Sequence, residues 1–134
     1  MNWNYISGFF DADGYITMVI PNKNKNKTVI VGFTNVELDL LETIRDFILE
    51  DIGVKGHISK KPARKETHSD SYDLSYKYNS GLSVITNIES FHPKKIHRKN
   101  IVEENYLKLT PRNGKYTKEL KEKREKMVLS FFSH

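Results

Sequence analysis

Cysteine is absent from this 134-residue chain, which excludes both disulfides and thiolate metal sites. The histidines do not compensate, since His57, His68, His92, His97 and His134 follow no zinc-ligand spacing. No apolar run approaches the length of a membrane span. The opening Met1-Asn2-Trp3-Asn4 lacks the charged-then-apolar order of a secretory signal. The expected setting is therefore intracellular, in a prokaryotic cytoplasm or an organelle, and the Lys-, Asn- and Ile-rich usage points to an A+T-rich genome. Acidic residues are outnumbered, 17 against 22 Lys and Arg, for a net charge of +5 and a pI near 9.3. A compact basic domain calls for a polyanionic partner whose phosphates it neutralises. Arginine is much rarer than lysine, which suits backbone attraction better than bidentate reading of guanine. The length suits a single domain, 1–134, with a real core.

Against this background one stretch carries chemistry: Ile6-Ser7-Gly8-Phe9-Phe10-Asp11-Ala12-Asp13-Gly14. Gly8 and Ala12, one helical turn apart, share a face and form a smooth strip where another backbone can approach closely. Asp13 follows the strip, and Gly14 is expected to close the helix in the left-handed conformation. Two such helices packed strip to strip would bring two Asp13 carboxylates side by side, a natural seat for divalent metal. The nonapeptide occurs once in the chain.

Beyond Gly14 the periodicity alternates. Ile16, Met18 and Ile20 face one way, and Val29, Val31 and Phe33 answer them across a lysine-rich turn at 21–27, which predicts a hairpin. Residues 37–51 read as a helix with Leu40, Leu41, Ile44, Phe47 and Ile48 on its apolar stripe, stopped by Gly53. A second strand pair spans 54–61 and 72–78, with Tyr72, Leu74, Tyr76 and Tyr78 facing the core. Leu82, Ile85 and Ile88 mark a short helix, 93–99 a basic loop, 100–109 a further helix, and 115–132 a last amphipathic one. In that last helix the lysines and glutamates of the run Thr117-Lys118-Glu119-Leu120-Lys121-Glu122-Lys123-Arg124-Glu125-Lys126 read as a wet face.

The nonapeptide resembles the LAGLIDADG motif of homing endonucleases: the glycine, both aspartates and the closing glycine stand in place, with Ile6, Phe9 and Phe10 at its apolar positions. The resemblance implies an α+β fold, αββαββα, with a saddle-shaped antiparallel four-stranded sheet; here an extra C-terminal helix follows. One motif per chain resembles the members that work as homodimers, with Gly8 and Ala12 at the interface. Asp13 and the Ala12 carbonyl would then hold Mg²⁺, with Mn²⁺ as a substitute, while Asp11 stays structural. By the same resemblance Asn35, or Glu37 under a shifted alignment, would orient water near the metal. A basic residue near the scissile phosphate would come from Lys95, His97, Arg98 or Lys99, where a permanently charged donor argues for Arg98 or Lys95, and Arg98 first.

A two-stranded ribbon fits the major groove. The outward residues expected to meet DNA are Thr17, Val19, Lys23, Lys25, Asn26, Thr28 and Ile30 on the first hairpin, and Ser59, Lys61, Asp73, Ser75 and Lys77 on the second. The leading expectation is a homodimeric, metal-dependent, site-specific endonuclease of double-stranded DNA. It would cut a long pseudo-palindromic site and leave 3′ overhangs. The alternatives are an RNA maturase acting on its host intron and a non-cleaving DNA-binding regulator, the latter disfavoured by retention of Asp13.

Overall fold

The structure, a computed structural model, describes residues 1–19, 27–63, 65, 69–106, 108–109 and 117–133. Helix α1 (Trp3–Asp13) runs directly into strand β1 (Gly14–Val19), followed by β2 (Thr28–Asn35), α2 (Leu38–Ile52), β3 (His57–Lys61) and β4 (Ser71–Lys77). Helices α3 (Asn79–Thr86), α4 (Pro93–Ile101) and α5 (Lys118–Phe132) complete the order, with a π-helical turn at Val102–Tyr106. The four strands form one antiparallel sheet in the order β1-β2-β4-β3.

Strand alternation divides the sheet into a covered and an open face. On the covered face Ile16, Met18, Val29, Val31, Phe33, Leu74 and Tyr76 are buried, together with Ile6 and Phe10 of α1, Leu41, Ile44 and Ile48 of α2, and Val84 and Ile85 of α3. The helical stripe expected between 37 and 51 is thus the face α2 buries, and its end is closed by Gly53 in the left-handed region at φ 69°. The N-terminus of α1 is capped by the Asn2 side chain, which accepts from the Tyr5 N–H at 2.8 Å.

Several expectations are corrected. Gly14 is extended, φ −92° and ψ 169°, so freedom at positive φ is not what the position requires. Space is: a Cβ there would lie 2.3 Å from Phe10 Cδ2 and 2.7 Å from the Phe10 Cα and carbonyl oxygen. Residues 93–99 are helix rather than loop, because Pro93 occupies the first turn of α4, where its missing N–H costs nothing. The helix expected from 100 to 109 is represented by the end of α4 and the π-helical turn. Tyr78 leaves the core row: it caps α3 at φ 56° with its side chain exposed, the one non-glycine residue at positive φ among the described residues. Arg124, about which the wet-face reading said nothing, is buried, with Nη2 donating to the Lys27 carbonyl at 2.6 Å and so tying α5 to the start of β2. Ile20, the lysine-rich residues 21–26 and the first two residues expected in the last helix, 115–116, lie outside the described residues.

The contrast between two glycines of the motif is measurable. Around Gly8 no atom of its own chain lies within 4 Å of an added Cβ, so Gly8→Ala should raise the stability of the isolated chain to urea by about 0.5–1 kcal/mol through helix propensity, while crowding any second helix laid on the Gly8–Ala12 strip. Gly14→Ala should lower it by about 1–3 kcal/mol, through overpacking against Phe10.

Candidate active site and nucleic-acid interface

The end of α1 gathers the polar groups of the motif. Asp13 is exposed, and its Oδ2 accepts from the Asn35 side-chain amide at 3.1 Å. Asn35 is itself oriented, because its Oδ1 accepts from the Glu37 N–H at 2.8 Å. Of the two alternatives at the end of β2, Asn35 therefore meets Asp13 through its side chain, whereas Glu37 acts here through its backbone.

Lys95 reaches the same helix end from α4. Its ammonium donates to the Phe10 carbonyl at 2.8 Å and the Asp11 carbonyl at 2.9 Å, and it lies 5.2 Å from the Phe10 ring centroid. These carbonyls belong to the last turn of a helix, which lacks intrahelical donors and carries partial negative charge. Burial holds the Lys95 pKa below the ordinary lysine range, while the charges of Asp11 and Asp13 oppose that shift.

Arg98, the residue favoured from sequence, is placed elsewhere. Its Nη1 donates to the Ile16 carbonyl of β1 at 2.8 Å, and its guanidinium lies 4.8 and 5.2 Å from the Phe131 and Phe132 rings of α5. Burial lowers its pKa too. Lys99 donates to the Ile88 carbonyl and pairs with Glu103 at 3.8 Å, and His97 Nε2 bonds the Ser130 carbonyl at 2.7 Å. The basic cluster is thus largely internal bracing, and Lys95 is the member that touches the motif helix. A loop reading of 93–99 hid this, since helical geometry decides which side chains share a face.

Asp11 has a bracing role as well. Its carboxylate accepts from the Ser90 hydroxyl at 2.5 Å and the Phe91 N–H at 2.7 Å, while Ser7 Oγ accepts from the Glu89 N–H at 2.9 Å. Gly8 and Ala12, each one residue on from Ser7 and Asp11, remain exposed, as does Tyr5.

For a divalent metal, the chain offers the exposed Asp13 carboxylate and the Ala12 carbonyl in the last turn of α1. Both are hard oxygen donors at the negative end of a helix, a set that fits Mg²⁺ when phosphate oxygens and water complete the shell. Among the described residues no group of three or more His, Cys, Asp or Glu could hold a metal within one copy.

The strand register sorts the open face. Thr17 pairs with Ile30, Val19 with Thr28, Ile30 with Lys77, Gly32 with Ser75, Thr34 with Asp73, and Ser59 with Asp73. Val19, Ser59, Lys61 and Lys77 are exposed and Thr17 and Ile30 half-buried, whereas Thr28, Asp73 and Ser75 are buried. Those three share the expected face but offer little surface. Lys23, Lys25 and Asn26 lie outside the described residues.

Asp73 is occupied. The Tyr15 hydroxyl lies 2.9 and 3.0 Å from its two oxygens, Thr34 donates to Oδ1 at 3.0 Å, and the Lys61 ammonium stands 3.8 Å away. To reach it, the Tyr15 ring crosses β2 above Gly32, where an added Cβ would come within 2.4 Å of the ring. The sequence reading passed over Tyr15. Its alternation with Thr17 was the available signal; the link to Asp73 needed the register.

A sequence profile described as the LAGLIDADG-like domain matches residues 2–123. The chain belongs to this family. Among solved structures, the LAGLIDADG homing endonuclease I-GzeII in complex with its DNA target superposes with a TM-score of 0.70 at 16% identity, over 99% of this chain and 44% of that one. The archaeal intron-encoded homing endonuclease I-Vdi141I complexed with DNA gives 0.56 at 17%, covering 98% and 84%. The LAGLIDADG meganuclease I-AabMI bound to uncleaved DNA gives 0.57 at 15%, covering 97% and 44%. At these identities the likeness establishes the fold, and this LAGLIDADG chain spans less than half of I-GzeII and I-AabMI. No curated protein matches it. Among the described residues no helix is long and apolar enough to cross a membrane.

The Tyr15–Asp73 pair gives this domain a pH signature. Burial first, then the Asp73 charge and hydrogen bond, push the Tyr15 pKa well above its ordinary value, and burial does the same for Tyr76. Unfolded tyrosine releases its proton near pH 10 while the folded phenols keep theirs, so stability should hold below about pH 10 and fall above it. Tyr15→Phe should cost about 1–3 kcal/mol in urea unfolding at pH 8. It should also flatten part of the alkaline loss, leaving the Tyr76 share.

Proposed function

We propose that this LAGLIDADG chain is one half of a homodimeric, metal-dependent, site-specific endonuclease of double-stranded DNA. The observation that carries the reading is the exposed Asp13 carboxylate at the end of α1, oriented by Asn35 and adjoining an open Gly8–Ala12 strip. Among the described residues a single chain offers no group of three side-chain ligands that would close a metal site. A second α1 laid on the strip would bring a second Asp13 to the same place. The chain's partial coverage of I-GzeII and I-AabMI, each a nuclease in complex with DNA, supports a site shared between two such halves.

When bound, Mg²⁺ or Mn²⁺ supplies the Lewis acid and the activated water for phosphodiester hydrolysis. Asp13 and the Ala12 carbonyl are its ligands in this reading. Asn35 holds Asp13 in one rotamer and offers its amide to solvent on that side. Lys95 keeps a positive charge under the helix end, offsetting the charge of Asp11 and Asp13 and drawing phosphate toward it. The open face, with Thr17, Val19, Ile30, Ser59, Lys61 and Lys77, meets the duplex. A two-fold dimer then implies a pseudo-palindromic site cut on both strands, with 3′ overhangs.

The test uses purified protein and cleaved sites selected from a randomised DNA library. Wild type should run as a dimer, cut with Mg²⁺, and bind without cutting in Ca²⁺. Asp13→Asn should abolish cutting and retain binding; normal cutting by this variant would remove Asp13 from the site. Asn35→Ala should slow single-turnover cleavage by about tenfold to a hundredfold, the usual effect of losing a group that orients a metal ligand.

A further inference from the structure

An anion in the floor of a phosphate-binding surface demands an explanation. Asp73 projects from β4 on the open face, with 10% of its side chain exposed, and the Tyr15, Thr34 and Lys61 contacts hold it there. One of its partners, Thr34, is the residue before the Asn35 that bonds Asp13. Lys61 offsets the charge only partly, because the pair is 3.8 Å apart and the lysine side chain is 57% exposed. A duplex resting on this face brings its phosphates toward a fixed negative charge.

Resting on the nuclease reading, we propose that Asp73 is a specificity-determining residue whose charge penalises loosely bound DNA of arbitrary sequence. Non-specific affinity is almost wholly phosphate attraction, so one buried anion on the contact face weakens it directly. The cognate duplex, seated with its groove against the strands, holds its phosphates farther from Asp73 than loosely bound DNA does, and so feels the charge less. Discrimination is a difference of affinities, and a repulsive element raises it as effectively as an attractive one. The contacts to Tyr15 and Thr34 explain how a carboxylate survives in this position. They do not require it to be charged, since an asparagine oxygen would accept the same two hydrogen bonds.

The experiment compares full-length wild type, Asp73→Asn and Tyr15→Phe for binding, in Ca²⁺, to a mixed-sequence duplex and to the duplex selected by cleavage. Asp73→Asn should bind the mixed-sequence duplex about fivefold more tightly at low salt, an effect of one charge at the surface of a polyanion. Its affinity for the selected duplex should change less than twofold, so discrimination narrows. Tyr15→Phe, which breaks the hydrogen bond but keeps the charge, should leave mixed-sequence binding within twofold of wild type. Equal gains in both variants would mean that loosening of the sheet, not charge, is responsible, and would overturn the proposal. So would an Asp73→Asn protein with unchanged mixed-sequence affinity. Should the asparagine variant not fold, Asp73→Ser removes the same charge and must give the same gain. A wild type that neither binds nor cuts DNA defeats the nuclease reading itself, whereas wild-type cutting with no gain in Asp73→Asn defeats this inference alone.

Discussion

The passage from α1 into β1 without an intervening loop is the constraint on which the rest depends. Gly14 fits because Phe10 fills the space where a side chain would stand. The helix therefore ends at Asp13 in one orientation, with its carboxylate at the rim of the sheet and its final carbonyls directed toward α4. Lys95 satisfies two of those carbonyls, and Asn35 at the end of β2 holds the carboxylate. Helix, sheet and α4 meet there, so the corner is rigid although Asp13 itself is exposed. Rigidity of this kind is what a positioned ligand needs, since an unrestrained aspartate samples rotamers that point away from its target.

The same economy governs α4, a helix with no buried residue that is nonetheless well anchored. Beside Ile101, which packs against the core, it is held by long polar arms: Lys95 to the end of α1, His97 to Ser130, Arg98 to β1 and Lys99 to the carbonyl of Ile88. Each arm satisfies a backbone acceptor that would otherwise need water. Arg98 lies between β1 and the aromatic pair of α5, so the C-terminal helix is fastened through a cation as much as through Met127 and Phe131.

How much of this was legible depended on which physical signal carried it. Strong periodicity served well: the strands, the apolar stripe of α2 and its stop at Gly53 all follow from residue order, whereas alternation alone did not show that Thr28, Asp73 and Ser75 are buried on their face. The nonapeptide identified the family. Where a residue has two readings, the structure chose between them. Pro93 starts a helix as readily as it breaks one, and the wrong choice turned α4 into a loop. Charged residues in a polar run look alike, so the burial of Arg124 among lysines and glutamates left no trace in composition. Tyr78 continues the alternation of β4 yet turns outward, because the chain must leave the sheet for α3. Contacts such as Tyr15 with Asp73, far apart in sequence, appear only once the register is known.

The internal use of these cations alters what the basic composition means. The formal excess of +5 counts Lys95, Arg98, Lys99 and Arg124 alongside the rest, yet each of them has donors bonded to carbonyls of the protein itself. Such groups still add to the overall field, but they are not free to take the place of the ions condensed around a polyelectrolyte. In the proposed complex with DNA, the number of ions set free would then reflect the exposed lysines rather than the whole basic inventory, and the overall pI would overstate how steeply ionic strength governs the encounter.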